Sequence, residues 1–189
     1  MRKHISTIIT AIIFLTGLSL LLYPTVSNFW NSKHQTQAVA EYSDRIEKMG
    51  TQEKKQALEQ AAQYNQTLVS DAGRFNPSEE QDALYKSLLN ADGTGMMGYI
   101  TIPEIKCKLA LYHTVDDSVL QVGIGHLEGS SLPVGGTGTH CVLSGHRGLP
   151  SAKLFTDLDK LQVSDTFTIT ILNREITYEV DDISIILPN

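Results

Sequence analysis

The 189-residue sequence predicts a mainly β domain, a barrel or sandwich, set behind flanking helices and an apolar N-terminal segment. Three observations carry that reading. From Gly98 onward apolar residues recur at every second position, the period of a half-buried strand. Glycine- and proline-bearing turns break these runs at short, regular intervals, as in small barrels and sandwiches. Upstream, the apolar period changes to three and four, and before that lies an uncharged stretch.

That first stretch, Ile5 to Tyr23, contains no charged residue. As a helix rising ~1.5 Å per residue it spans ~28 Å, close to the hydrocarbon thickness of a bilayer. Arg2 and Lys3 precede it and the next cation is Lys33, which places the N-terminus in the cytoplasm and the rest outside. Tyr23, Phe29 and Trp30 stand where an interfacial aromatic belt belongs. A cleaved signal peptide is the alternative, but Leu20-Leu21-Leu22-Tyr23-Pro24 lacks the small-x-small pattern of a cleavage site. The expectation is an uncleaved membrane anchor over residues 1–30.

Residues 31–91 read as a helical flank. Asn31 to Gln37 is polar and predicts a short spacer. Val39, Tyr42, Ile46 and Met49 then form an amphipathic stripe, stopped at Gly50, with Thr51 as the N-cap of the next helix. Leu58, Ala61, Asn65 and Leu68 mark that helix, and Leu84, Tyr85, Leu88 and Leu89 a shorter one. Between them, Asp71 to Gln81 is a loop punctuated by Gly73 and Pro77.

The β domain occupies residues 92–189. Tyr99 to Ile102 and Cys107 to Leu111 read as strands, and Asp116 to Val122 as a turn or two of helix. Gly123 to Gly138 holds six glycines and predicts a long loop. A strand at Cys141 to Ser144, a helix at Lys153 to Leu161, and strands around Ile169, Tyr178 and Ile183 to Leu187 complete the order.

Composition narrows the function. Hydrophobic residues at 41% and charged residues at 19% describe a globular chain. A net charge of −6 and 7% aromatics argue against nucleic acid, which wants a basic face and stacking rings.

The segment from Thr139 to Gly148 (THCVLSGHRG) is the chemically informative one. It delivers His146 from a strand to a turn flanked by Gly145 and Gly148, fit either for a surface histidine or for a general acid–base. A catalyst also needs a nucleophile and a stabiliser of developing charge. Cys141 precedes His146 by five residues on an extended segment, which separates them by ~16 Å and turns them to opposite faces. His140 faces away from Cys141 for the same reason of parity. Cys107, between Lys106 and Lys108, reads as core. Buried free thiols are the default for both cysteines, and one disulfide in an oxidising compartment is the alternative. His126, His140 and His146, at spacings of 14 and 6, match no compact zinc motif. Gly135-Gly136-Thr137-Gly138 lacks the following Lys-Ser/Thr of a phosphate loop.

Three runs resemble class C sortases, the pilin-polymerising transpeptidases of Gram-positive surfaces. They are Gly125 to Leu161, with GHLEGSSLPVGG and SGHRGLP in order; Met96 to His113; and Ser164 to Pro188. The resemblance implies an eight-stranded barrel and a His-Cys-Arg site that cleaves LPXTG-like signals and joins pilin subunits, with no metal or cofactor. His146 matches the family's histidine. The family's cysteine ends a later strand reading Thr-Leu-x-Thr-Cys, farther away than the 43 residues that follow His146, and its arginine lies on the next strand. The expectation is therefore an incomplete barrel lacking its last two strands, inactive alone and poorly soluble. A membrane-anchored binding module or a remnant is the alternative. Class C enzymes also close their cleft with an Asp-Pro-aromatic loop; the lid-like loop here offers Phe75, Asn76 and Pro77, with no carboxylate and no aromatic after the proline. Partners implied are pilins or other proteins bearing sorting signals, and a membrane.

Overall fold

A computed structural model describes residues 2–186, with side chains from Ile5 onward. Its helices are α1 (Arg2–Lys48), α2 (Thr51–Leu68), α3 (Glu79–Ser87) and the single turn α4 (Asp117–Leu120). Its strands are β1 (Met96–Ile102), β2 (Cys107–His113), β3 (Ile124–His126), β4 (Leu143–Ser144), β5 (Thr166–Ile171) and β6 (Arg174–Glu179). They form one curled sheet in the order β4-β3-β2-β1-β5-β6, a half-barrel with helices along its flank.

Strand β1 lies centrally because MMGYITI is apolar enough to be covered on both faces. It pairs antiparallel with β2 and β5, and β5 with β6. A Cβ at Gly98 would overlap the carbonyl oxygen of Thr170, so only glycine lets β5 approach there. The β2–β3 pair is parallel, and the α4 turn makes the crossover between them. On β5 and β6, Phe167 stacks on Tyr178 with centroids 5.3 Å apart.

The helices join the same core. Tyr42 of α1 is fully buried, donates to the Met97 carbonyl (2.7 Å) and accepts from the Leu172 amide (3.0 Å). Burial raises its phenol to about 12. Asn65 of α2, also buried, makes a reciprocal pair with the backbone of Leu132: Nδ2 to the carbonyl at 3.0 Å, and the amide to Oδ1 at 2.7 Å. Helix α3 starts at a capping box between Ser78 and Gln81.

Four readings change in detail. The expected spacer is helical, because Asn31 to Gln37 contains no glycine or proline, Thr36 and Gln37 bond within the helix, and Asn31 and Gln35 bond onto the β domain. Gln35, for example, is buried and accepts from the Ala110 amide (2.8 Å). Gly50 rather than Thr51 is the N-cap of α2. The expected helix at Lys153 to Leu161 is a chain of turns ending in one 3-10 turn, Leu158–Lys160. Burying the neighbouring side chains Leu154 and Phe155 together, with Leu154 at φ 31°, is incompatible with a helical path. The expected last strand from Ile183 has no pairing partner through Ile186, and Ile185 and Ile186 are exposed; Leu187 lies outside the described residues.

Candidate functional site

His146 follows β4, and the approach to it is fixed by a ladder that outruns the two-residue strand. Ser144 and Leu143 face Gly125 and His126. The Leu127 amide donates to the Val142 carbonyl (3.0 Å) and the Ser131 amide to the His140 carbonyl (2.8 Å). Ser130 Oγ accepts from the Val142 amide (3.1 Å).

Beneath this ladder, His126 is completely buried. Its Nε2 faces the Ser131 carbonyl at 2.9 Å and Tyr85 Oη lies 2.9 Å from Nδ1. Only one tautomer satisfies both contacts: Nε2 carries the proton and Nδ1 accepts from the phenol. Burial holds this imidazole down at about 4. His126 is therefore a neutral core residue, and His140 is exposed at the loop surface. Among the described residues no set of three metal-ligating side chains gathers. The Gly135 to Gly138 run leads into loop, with no helix after it.

Beyond β4 the chain turns back on itself. The Phe155 amide donates to the His146 carbonyl (3.1 Å), and the Gly148 amide to Thr156 Oγ1 (3.1 Å). A Cβ at Gly145 would stand 2.8 Å from the Phe155 ring, so glycine is needed for this closure. His146 is half-buried, and its ring makes no hydrogen bond among the described residues. Arg147, beside it, pairs with Asp159 at 2.8 Å on the surface. Such an exposed pair orients the guanidinium more than it stabilises the fold. Asp157, between Lys153 and Lys160, is held below the usual carboxylate range by those two ammonium groups.

A cleft of about 750 Å³ opens on the concave side of the sheet, floored by Ile100, Ile102, Leu143, Phe167, Ile169 and Tyr178. Arg147, Asp159, Asp181 and Asp182 form a charged rim. Cys141 lines this cleft, two residues from Leu143 and on the same face; His146, of opposite parity, does not. No hydrogen bond joins the Cys141 thiol to the His146 ring. Burial alone pushes that thiol up to about 12, and Cys107 is raised to about 11, chiefly by burial. Both cysteines are free in this structure, and each is half-buried rather than buried as expected, because one side of each stays open to solvent or to the cleft. Cys141 has no cation to oppose that rise, and at Cys107 the pull of Lys153 is outweighed by burial.

The lid-like loop packs elsewhere. Arg74 and Phe75 press on Gly129, where a Cβ would come within 2.7 Å of the Phe75 ring. The Arg74 guanidinium sits 5.0 Å from that ring, and the Asn76 amide closes a turn to Gly73 (2.7 Å). Phe75, Asn76 and Pro77 are not among the residues lining the cleft. Sequence reading did not find the Tyr85–His126 pair; the signal was a tyrosine on a helical apolar stripe and a histidine flanked by glycine, both ordinary core patterns.

The comparisons agree with this architecture. The sortase-domain family model matches residues 100–189. Sortase C1 from Streptococcus agalactiae is 48% identical and superposes with a TM-score of 0.75, over 77% of this chain and 76% of that one. Sortase C of Streptococcus pneumoniae is 35% identical, with a TM-score of 0.65 over 77% and 74% of the two chains. Sortase C-1 from Actinomyces oris is 37% identical, with a TM-score of 0.62 over 68% and 74%. No curated protein matches.

Proposed function

This chain belongs to the sortase family, and from that premise we propose that it carries the histidine side of a class C transpeptidase site. The observation behind the reading is His146, set on a glycine turn at the end of β4 in the SGHRG motif of a chain 48% identical to a sortase C1. In the proposed reaction a thiolate attacks the Thr–Gly carbonyl of an LPXTG-like signal. The tetrahedral adduct collapses to a thioester as the imidazolium of His146 protonates the departing glycine amine. A pilin lysine amine then attacks the thioester, and His146 takes the proton it releases. An arginine would stabilise the oxyanion.

Neither cysteine among residues 1–189 suits the nucleophile's role. Cys141 and Cys107 are half-buried, their thiols are raised, and neither is hydrogen-bonded to His146. The polypeptide 1–189 is accordingly inactive on its own in this reading. We assign residues 1–30 to a membrane anchor, 31–91 to a helical flank and lid-like loop, and 92–189 to a partial barrel facing the outside. The 30/31 boundary falls inside α1, the one described helix long and apolar enough to cross a membrane.

A chimera tests the proposal. Joining the closing strands of the Streptococcus agalactiae sortase C1, with their cysteine and arginine, after residue 189 should give acyl transfer from an LPXTG peptide to an amine. His146→Ala in that chimera should abolish it. Transfer that survives His146→Ala overturns the assignment. The open apolar cleft favours a second reading, a binding module that holds an extended peptide without cleaving it. Retention of an LPXTG peptide by the full chain in detergent, with no covalent product, would support that alternative.

A further inference from the structure

We propose that Asn28 and Asn31 of α1 are positioning residues for His146, coupling the apolar helix directly to the loop that carries the imidazole. The inference rests on reading His146 as the acid–base group. The two asparagines are three residues apart and so share one face of the helix. Asn31 Nδ2 donates to the Ser151 carbonyl at 2.5 Å, and the Lys153 amide donates to Asn28 Oδ1 at 2.8 Å. One side chain gives a hydrogen bond and the other receives one, on either side of Ala152, which is buried. The loop from His146 to Phe155 is thus held at two places. Its base is closed by the Phe155 amide on the His146 carbonyl, and its far side is clamped to α1.

This clamp matters because no hydrogen bond among the described residues orients the ring itself, and the backbone contacts around it must do so. Acid–base histidines are ordinarily aimed by a third group on the second ring nitrogen. The His146 ring has no such partner among the described residues, so its direction is set by the backbone that bears it. Following α1 from Tyr23, the clamp lies only about 7 to 12 Å farther along the helix axis at 1.5 Å per residue. Asn28 itself falls within residues 1–30, so the end of the proposed anchor touches the proposed catalytic loop directly.

The two contacts have opposite polarity, which makes the test specific. Asn28→Asp keeps an acceptor for the Lys153 amide, whereas Asn28→Ala removes it. Asn31→Asp replaces a donor with a carboxylate facing the Ser151 carbonyl. In the full chain in detergent micelles, Asn28→Ala and Asn31→Asp should speed amide exchange over residues 146–155 by about tenfold and shift the His146 imidazole NMR signals and their pH profile. Asn28→Asp should restore both readouts, and the β1 and β2 amides should keep their protection in all three variants. Exchange and ring signals staying within about twofold of the parent in Asn28→Ala and Asn31→Asp would overturn the proposal. So would an Asn28→Asp variant as perturbed as Asn28→Ala, or a general loss of β1 and β2 protection in both Asn28 variants. An inert chimera with these exchange results intact would refute the catalytic reading of His146 and leave the clamp standing.

Discussion

Tyr85 Oη donates to His126 Nδ1 across 2.9 Å, and this buried pair ties α3 to the ladder that leads to His146. The same oxygen accepts from the Thr114 amide at 3.2 Å, so one phenol joins a helix, β3 and the end of β2. Tyr85→Phe keeps the ring and removes those bonds, leaving His126 Nδ1 and the Thr114 amide unpaired. The expected cost is about 1–3 kcal/mol. Chemical unfolding of the full chain in detergent measures it, and an unchanged midpoint would contradict it.

Stability should also fall in mild acid. Burial holds His126 at about 4 against its ordinary 6.5. Because the folded value is depressed, the unfolded chain takes up the proton first as pH drops. This contribution is complete above pH 6.5 and is lost toward pH 4, by roughly 3 kcal/mol. His113, buried against the Gly95 and Leu88 carbonyls and also pushed down, acts in the same sense. Unfolding measured across this range should show the decline, and His126→Gln should flatten the larger part of it.

Gly145→Ala tests the closure behind His146. The added carbon meets the Phe155 ring at 2.8 Å, so loop or ring must shift. A loss of about 1–3 kcal/mol is expected, with partial recovery when Phe155→Leu is added. Recovery is the informative arm: the entropy term of Gly→Ala favours the folded state, so a loss that responds to position 155 comes from the clash with the ring.

Both thiols should be sluggish. With Cys141 raised from 9.0 to about 12 and Cys107 to about 11, the thiolate fraction near neutral pH falls about 1000-fold and about 100-fold, and alkylation of the folded chain should be slow at both. Rapid, stoichiometric labelling of Cys141 would show an activated thiolate and remove the argument against it.

Much of this was legible in the chain. The alternation of Phe167, Ile169 and Ile171 gives β5, and Val39, Tyr42 and Ile46 give the face α1 buries, because both depend on local period. The turn that carries His146 was legible from its flanking glycines, and strand parity anticipated that Cys141 lines the cleft while His146 does not. The path of Lys153 to Leu161 was not, since its leucine spacing suits a helix while packing of Leu154 and Phe155 decides the backbone. Nor was the role of Asn31: an asparagine in a polar run carries no sign that its partner is a carbonyl 120 residues away.

The most direct measurement is intact-mass spectrometry of the full chain in detergent, incubated with an LPXTG peptide and a lysine amine. The account predicts an unmodified mass, no released glycine fragment and no peptide–amine product. A thioester adduct mapped to Cys141 or Cys107, lost in His146→Ala, would contradict it.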